Sequence, residues 1–148
     1  VKRLMKEVND AGLLLGICTT SNEKAAQAVV NGLLKEIKFE FVLAGDIVEN
    51  KKPDPEIYNL ALTKSGFAPD ECIVIEDSRN GVLAARAAEL NIVATTNIYT
   101  ASEDLSDANI ITTTLGDVDD EKGELNQGGE SIDYDGVLRL EQLMAYFG

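Results

Sequence analysis

Five short apolar runs constrain this chain more than any other feature: LLLGIC (13–18), FEFVLA (39–44), CIVIE (72–76), NIVATT (91–96) and ANIITTT (108–114). Each has the length of a strand, and most are rich in Val, Ile or Thr. The segments between them carry helical spacing instead. Val1, Leu4, Met5 and Val8 recur on one helix face, and Gly12 suits the stop that follows. Thr20-Ser21-Asn22-Glu23 reads as a capping box opening a helix over 22–34. Asp54 can cap a helix that has Pro55 at its first position and runs to Ser65, with Gly66 beyond it. A further helix is predicted over 79–89, and a terminal one over 136–147, where Val137, Leu138, Leu140, Leu143, Met144 and Phe147 fall. Apolar strands buried on both faces and separated by helices are parallel strands joined by right-handed crossovers. The predicted fold class is therefore α/β, a three-layer Rossmann-like parallel sheet.

One stretch breaks this rhythm. Residues 116–131 (GDVDDEKGELNQGGES) are polar and Gly-rich with neither period, which predicts a loop or a partly disordered insertion. The chain then divides into 1–115 as the α/β part, 116–135 as the polar loop and 136–148 as a helix packing back on the core.

Composition removes several function classes. The net charge of −13 leaves no basic surface for nucleic acid or for anionic lipid. No apolar run reaches the roughly 18 residues that span a membrane, so a soluble protein is expected. Cys18 and Cys72 lie far apart, which favours buried free thiols over a C-x-x-C metal or redox pair. The absence of histidine excludes Ser-His-Asp and Cys-His catalysis and His-based metal sites.

Ligands of open parallel sheets collect at the carboxyl ends of strands. Three such ends carry polar groups here. Thr19, Thr20 and Ser21 stand at a helix N-terminus, where hydroxyls and free N–H groups can seat a phosphate, although Ser and Thr are also ordinary caps. The second strand leads to Lys51-Lys52-Pro53, where a lysine ammonium can be placed over a phosphoryl group or can remain a solvated charge. The third ends in Glu76-Asp77-Ser78. Two adjacent carboxylates call for a cation, and hard oxygen ligands sharing a site with phosphate suit Mg²⁺, whereas Asp77 or Ser78 could simply cap the next helix.

The order of these motifs resembles the haloacid dehalogenase superfamily. LGICTTSNEKA, KKPDPEIYNLAL, CIVIEDSRNGVLAARAA and YTASEDL are similar to its β-phosphoglucomutase-like and CbbY-like branch, over about residues 1–115. The resemblance implies a Mg²⁺-dependent phosphatase of small sugar phosphates working through an aspartyl-phosphate, with xylulose 1,5-bisphosphate as a candidate substrate. It implies that Thr19 binds the transferring phosphate, that Thr20, Ser21 and Asn22 form the loop beside it, and that Lys52 neutralises the phosphoryl oxygens. Asp77 becomes a Mg²⁺ ligand, and Glu76 the acid that supports the metal site. The expected location is the cytoplasm or, by resemblance alone, the chloroplast stroma.

The family also carries an N-terminal strand ending in D-x-D-G-T/V, which supplies the nucleophile, followed by a helical cap that selects substrate. Neither occurs ahead of Val1 in the sequence read here, so an incomplete core is expected, and little stability or turnover from these residues alone. Asp133-Tyr134-Asp135-Gly136-Val137 has the right letters, but no apolar strand precedes it and a loop is expected. A phosphosugar mutase of the same branch remains open, as does a non-catalytic remnant. A receiver-type domain fits less well, because Lys52 precedes the acidic pair.

Overall fold

The apolar runs become strands only where another strand is available to pair with them. In the computed structural model, which describes residues 1–148, the order is α1 (Lys2–Asp10), β1 (Gly16–Cys18), α2 (Glu23–Leu33), β2 (Phe41–Leu43) and α3 (Glu56–Ser65). A single 3₁₀ turn (Pro69–Glu71) leads into β3 (Ile73–Glu76). Then follow α4 (Arg79–Ala87), β4 (Asn91–Thr95), β5 (Ile110–Thr112), β6 (Leu125–Gln127) and α5 (Leu140–Phe147). Half of the LLLGIC run thus stays outside β1. Leu13 continues the end of α1 by donating to Val8 O, and the ladder to β2 starts only where Gly16 faces Phe41.

The strands form two sheets. β1 and β2 pair in parallel, and β3, β4 and β5 form a parallel set to which β6 adds antiparallel. Alternation along β4 shows why helices must cover both faces. Ile92 and Ala94 enter a core shared with Ile57 and Tyr58 of α3 and Val82, Ala84 and Ala85 of α4. Val93, between them, points into a second core with Leu4 of α1 and Leu143 of α5. The result is the α/β layering the sequence predicts.

The polar stretch differs from expectation. Leu125–Gln127 form β6 along the free edge of β5, with Gln127 opposite Ile111 and Leu125 opposite Thr112. Gln127 Nε2 donates to Ala108 O at 2.7 Å, and the Tyr134 hydroxyl lies 3.1 Å from Thr112 Oγ1. A three-residue polar edge strand has no apolar face to bury, so it leaves no period in the sequence. Its pairing is instead supplied by the backbone groups of β5.

The terminal helix starts later than predicted, at Leu140, because Val137 and Leu138 are buried in an extended approach to it. Glu7 of α1 accepts the Leu140 N–H at 2.9 Å, while Arg3 donates to the carbonyls of Leu115, Gly116 and Leu138. Two side chains of the first helix therefore fasten the C-terminal segment. Asp133–Gly136 is irregular, with a bend at Asp135 and Gly136, and no strand runs directly into it.

α3 closes on Gly66, whose φ of 77° is left-handed and costs glycine little. At its start, Pro55 occupies the cap position, and Asp54 Oδ1 accepts from Glu56 N at 3.0 Å. No helix is long and apolar enough to cross a membrane.

Candidate active site

The carboxyl ends of β1 and β3 belong to different sheets, and one lysine joins them. Lys52 leaves the β2–α3 loop through a cis Lys52–Pro53 bond, and its side chain is only 8% exposed. Its ammonium donates to Cys18 O at 3.0 Å, to the Tyr58 hydroxyl at 3.0 Å and to Glu76 Oε1. These three acceptors match the three N–H groups of an ammonium. A buried ion pair is tolerable only when its remaining hydrogen-bonding capacity is also satisfied, and this one is.

Glu76 is the other half of the pair. Its Oε1 accepts from Lys52 and from the Tyr58 hydroxyl, and its Oε2 takes the Asp77 N–H at 3.4 Å. The first turn of α4 presses on it from behind: a Cβ at Gly81 would stand 1.9 Å from Glu76 Oε2. The glycine of Glu-Asp-Ser-x-x-Gly is therefore a matter of space for the carboxylate. Burial, then Glu76, push the Tyr58 hydroxyl far above its ordinary range, so it stays protonated and donates. Burial likewise pushes the Cys18 thiol up to about 11, with Lys52 opposing and Glu76 adding to the shift. Such a thiol is not a nucleophile at neutral pH.

Asp77 is exposed and free of capping duty, because Ser78 Oγ accepts the Gly81 N–H at 3.2 Å and caps α4 itself. Asn97 Nδ2 reaches Asp77 Oδ2 at 3.5 Å, and Asn97 Oδ1 is fixed by the N–H groups of Tyr99 and Thr100. The loop bearing Asn97 is pinned to α4 where Glu103 accepts the Arg79 N–H at 2.6 Å. Beside it lies a cavity of about 540 Å³ lined by Thr95, Thr96, Asn97, Thr113 and Thr114 among others.

On the β1 side, Thr19 Oγ1 accepts from Ser21 N at 3.1 Å and keeps its own proton to donate. Asn22, rather than Thr20, caps α2, with Oδ1 accepting from Ala25 N at 2.9 Å. The capping box expected at Thr20 and Glu23 is displaced because Asn22 is the residue in extended conformation one turn ahead of that N–H. Thr20 and Ser21 are consequently exposed, without side-chain hydrogen bonds. Asp46 Oδ2 takes the Glu23 N–H at 3.4 Å, so one donor of this helix start already faces a carboxylate.

Thr19, Lys52, Glu76 and Asp77 are thus gathered at one seam, with Thr20, Ser21 and Asn22 on its β1 side. Glu76, assigned in the sequence to the metal side, is turned to Lys52 and Tyr58 instead. The cation that the adjacent carboxylates require is in the first place the lysine. No group of three or more acidic or cysteine side chains converges to hold a metal ion. Asp77 offers a single carboxylate, which suits Mg²⁺, an ion that takes one or two carboxylates and fills its octahedron with water and phosphate.

Tyr58 and Asn97 did not emerge from the sequence. A tyrosine in the first turn after Lys-Pro-Asp-Pro was a usable signal for the first, since a buried phenol needs a polar partner. Asn97 gave none, because Asn after a strand is ordinary turn chemistry.

Residues 1–95 match the family model for haloacid dehalogenase-like hydrolases. The chain belongs to that family. A CBBY-like protein of Arabidopsis thaliana is 41% identical over 127 residues, which cover 84% of this chain and 40% of that protein. The crystal structure of CbbY from Rhodobacter sphaeroides in complex with phosphate has a TM-score of 0.68 at 34% identity, covering 74% of this chain and 50% of that one. A mutant of the same CbbY, in complex with xylulose-(1,5)bisphosphate, gives the same values. The chain spans 40–49% of the length of the curated CbbY relatives it matches.

Proposed function

We propose that the protein to which these residues belong is a Mg²⁺-dependent phosphatase of small sugar phosphates. The observation that carries this reading is the buried lysine placed between a hydroxyl-bearing strand end and an acidic one. Phosphoryl transfer requires positioning and neutralisation of charge on the phosphoryl oxygens more than elaborate covalent chemistry. Thr19 donates its hydroxyl proton to a phosphate oxygen, with the Thr20 and Asn22 N–H groups, which lack intramolecular partners, beside it. Lys52 supplies a fixed positive charge. Asp77 would hold Mg²⁺, which when bound polarises the phosphoryl group as a Lewis acid. Glu76 supports this arrangement by holding Lys52, and Gly81 leaves it room to do so.

In this reading the attacking aspartate comes from a segment outside residues 1–148, in a protein about twice as long, as the CbbY relatives are. Xylulose 1,5-bisphosphate is the first substrate to test, because a CbbY mutant with the same TM-score and identity was crystallised with it. Incubating the full-length protein with this bisphosphate and Mg²⁺ should release inorganic phosphate, and omitting the metal should abolish release. Conversion of β-glucose 1-phosphate to the 6-phosphate without net release would favour a mutase. Absence of both reactions in a folded full-length protein would overturn the phosphoryl-transfer reading.

A further inference from the structure

Tyr58 has no part in the roles assigned above, yet its hydroxyl touches both members of the buried ion pair. It is 5% exposed, accepts from Lys52 Nζ at 3.0 Å and donates to Glu76 Oε1. The ammonium also stands 4.7 Å from the centre of its ring, within cation–π range. We propose that the Tyr58 hydroxyl is a positioning residue that holds the Lys52 ammonium at the strand ends, and so sets the lysine's action on a phosphoryl group.

Each N–H of the ammonium has one acceptor: Cys18 O toward β1, Glu76 Oε1 toward β3, and Tyr58 Oη. Glu76 cannot take over the tyrosine's share. Its Oε1 already accepts a different N–H of the same ammonium, and its Oε2 takes the Asp77 N–H and is walled in by Gly81. Without the hydroxyl, an N–H in a nearly closed site loses its partner, and the ammonium can satisfy it only by swinging toward water. The ring alone cannot prevent this, because a π-face attracts a cation without fixing where each N–H points. The phenol also orders Glu76, the carboxylate that anchors the lysine on the β3 side.

The effect on turnover rests on the phosphatase reading; the effect on the lysine does not. Full-length protein carrying Tyr58→Phe or Tyr58→Leu is compared with wild type in Mg²⁺-dependent hydrolysis of p-nitrophenyl phosphate. Phe keeps the ring and Leu keeps neither ring nor hydroxyl. Tyr58→Phe should lower kcat about tenfold, the scale of one hydrogen bond to a charged group, and change KM less than about twofold. A role in packing alone gives the opposite pattern, with Phe equal to Tyr and only Leu impaired, and that result overturns the proposal.

A second readout needs no catalysis. Reductive methylation of Lys52 by formaldehyde and a borane, followed by peptide mass spectrometry, should proceed about fivefold faster in Tyr58→Phe, by loss of one of three partners. If wild type hydrolyses no ester, the phosphatase reading fails, and methylation alone decides the role of Tyr58. An unchanged methylation rate overturns it.

Discussion

The four-stranded and two-stranded sheets are built from similar apolar runs, yet they are held in different ways. In the larger sheet, Ile92, Val93 and Ala94 of β4 and Ile110 of β5 are all fully buried, between α3 and α4 on one face and α1 and α5 on the other. In the smaller sheet, Gly16 is exposed, Ile17 and Cys18 are half-buried, and Leu43 is the one deeply buried strand residue. β1 and β3 share no ladder, and Ile75 of β3, at the end of the larger sheet, is 39% exposed. The larger sheet is stabilised by burial on two faces. The smaller one is tied in by Leu43, Cys18 and Phe41 packing on the core shared with α3 and α4, and by Lys52 reaching from Cys18 O to Glu76. The candidate chemistry sits at the junction of the two sheets, where exposed Thr20, Ser21 and Asp77 stand beside the buried Lys52–Glu76 pair.

The most severe way to break this comparison is to cut the tie. Lys52→Met removes the cation and leaves Glu76 buried with only the Tyr58 hydroxyl and a backbone N–H. Removing one partner of a buried pair costs about 3–5 kcal/mol, and urea unfolding of the variant should show a loss of that size together with loss of turnover. A variant as stable as wild type would mean that apolar packing alone joins the sheets.

The next effect weighs the two sheets against each other. Ile92→Ala, in the fully buried strand, should cost about 2–5 kcal/mol, whereas Ile17→Ala, in the half-buried one, should cost less than half of that. Equal losses by chemical denaturation would erase the distinction in packing.

The smallest effect belongs to the Cys18 thiol beneath the lysine. Its folded value of about 11 lies above the roughly 8.5 of a free thiol, so folding favours the protonated form. The stability this adds is fully present below about pH 8.5 and is lost as pH rises toward 11. Thermal unfolding followed from pH 8 to 10.5 should therefore show a decline that a Cys18→Ser variant lacks.

Much of the larger sheet was readable because its physics is repetitive. CIVIE and NIVATT could be buried on both faces only as parallel strands, and the helices before and between them followed from spacing, from Gly66 as the stop of α3 and from Ser78 as a cap of α4. Thr19, Lys52, Glu76 and Asp77 were singled out by the order of three motifs along the chain and by the family resemblance, since each alone also reads as a cap or a solvated charge. β6 was missed because Leu-Asn-Gln owes its pairing to the edge of β5. The cap of α2 was misplaced because Thr20 and Asn22 are both good capping residues, and backbone geometry chose between them.

By itself the sequence determined the α/β class and the order of the helices and of the strands other than β6, since period, capping and breakers are local properties of the chain. Tertiary structure alone decided that Glu76 turns to Lys52 instead of standing with Asp77. It also decided that Tyr58 completes the pair and that Gly81 must be glycine to make room. Those facts depend on distances between residues 18, 52, 58, 76 and 81, which meet only when two sheets with no ladder between them are brought together.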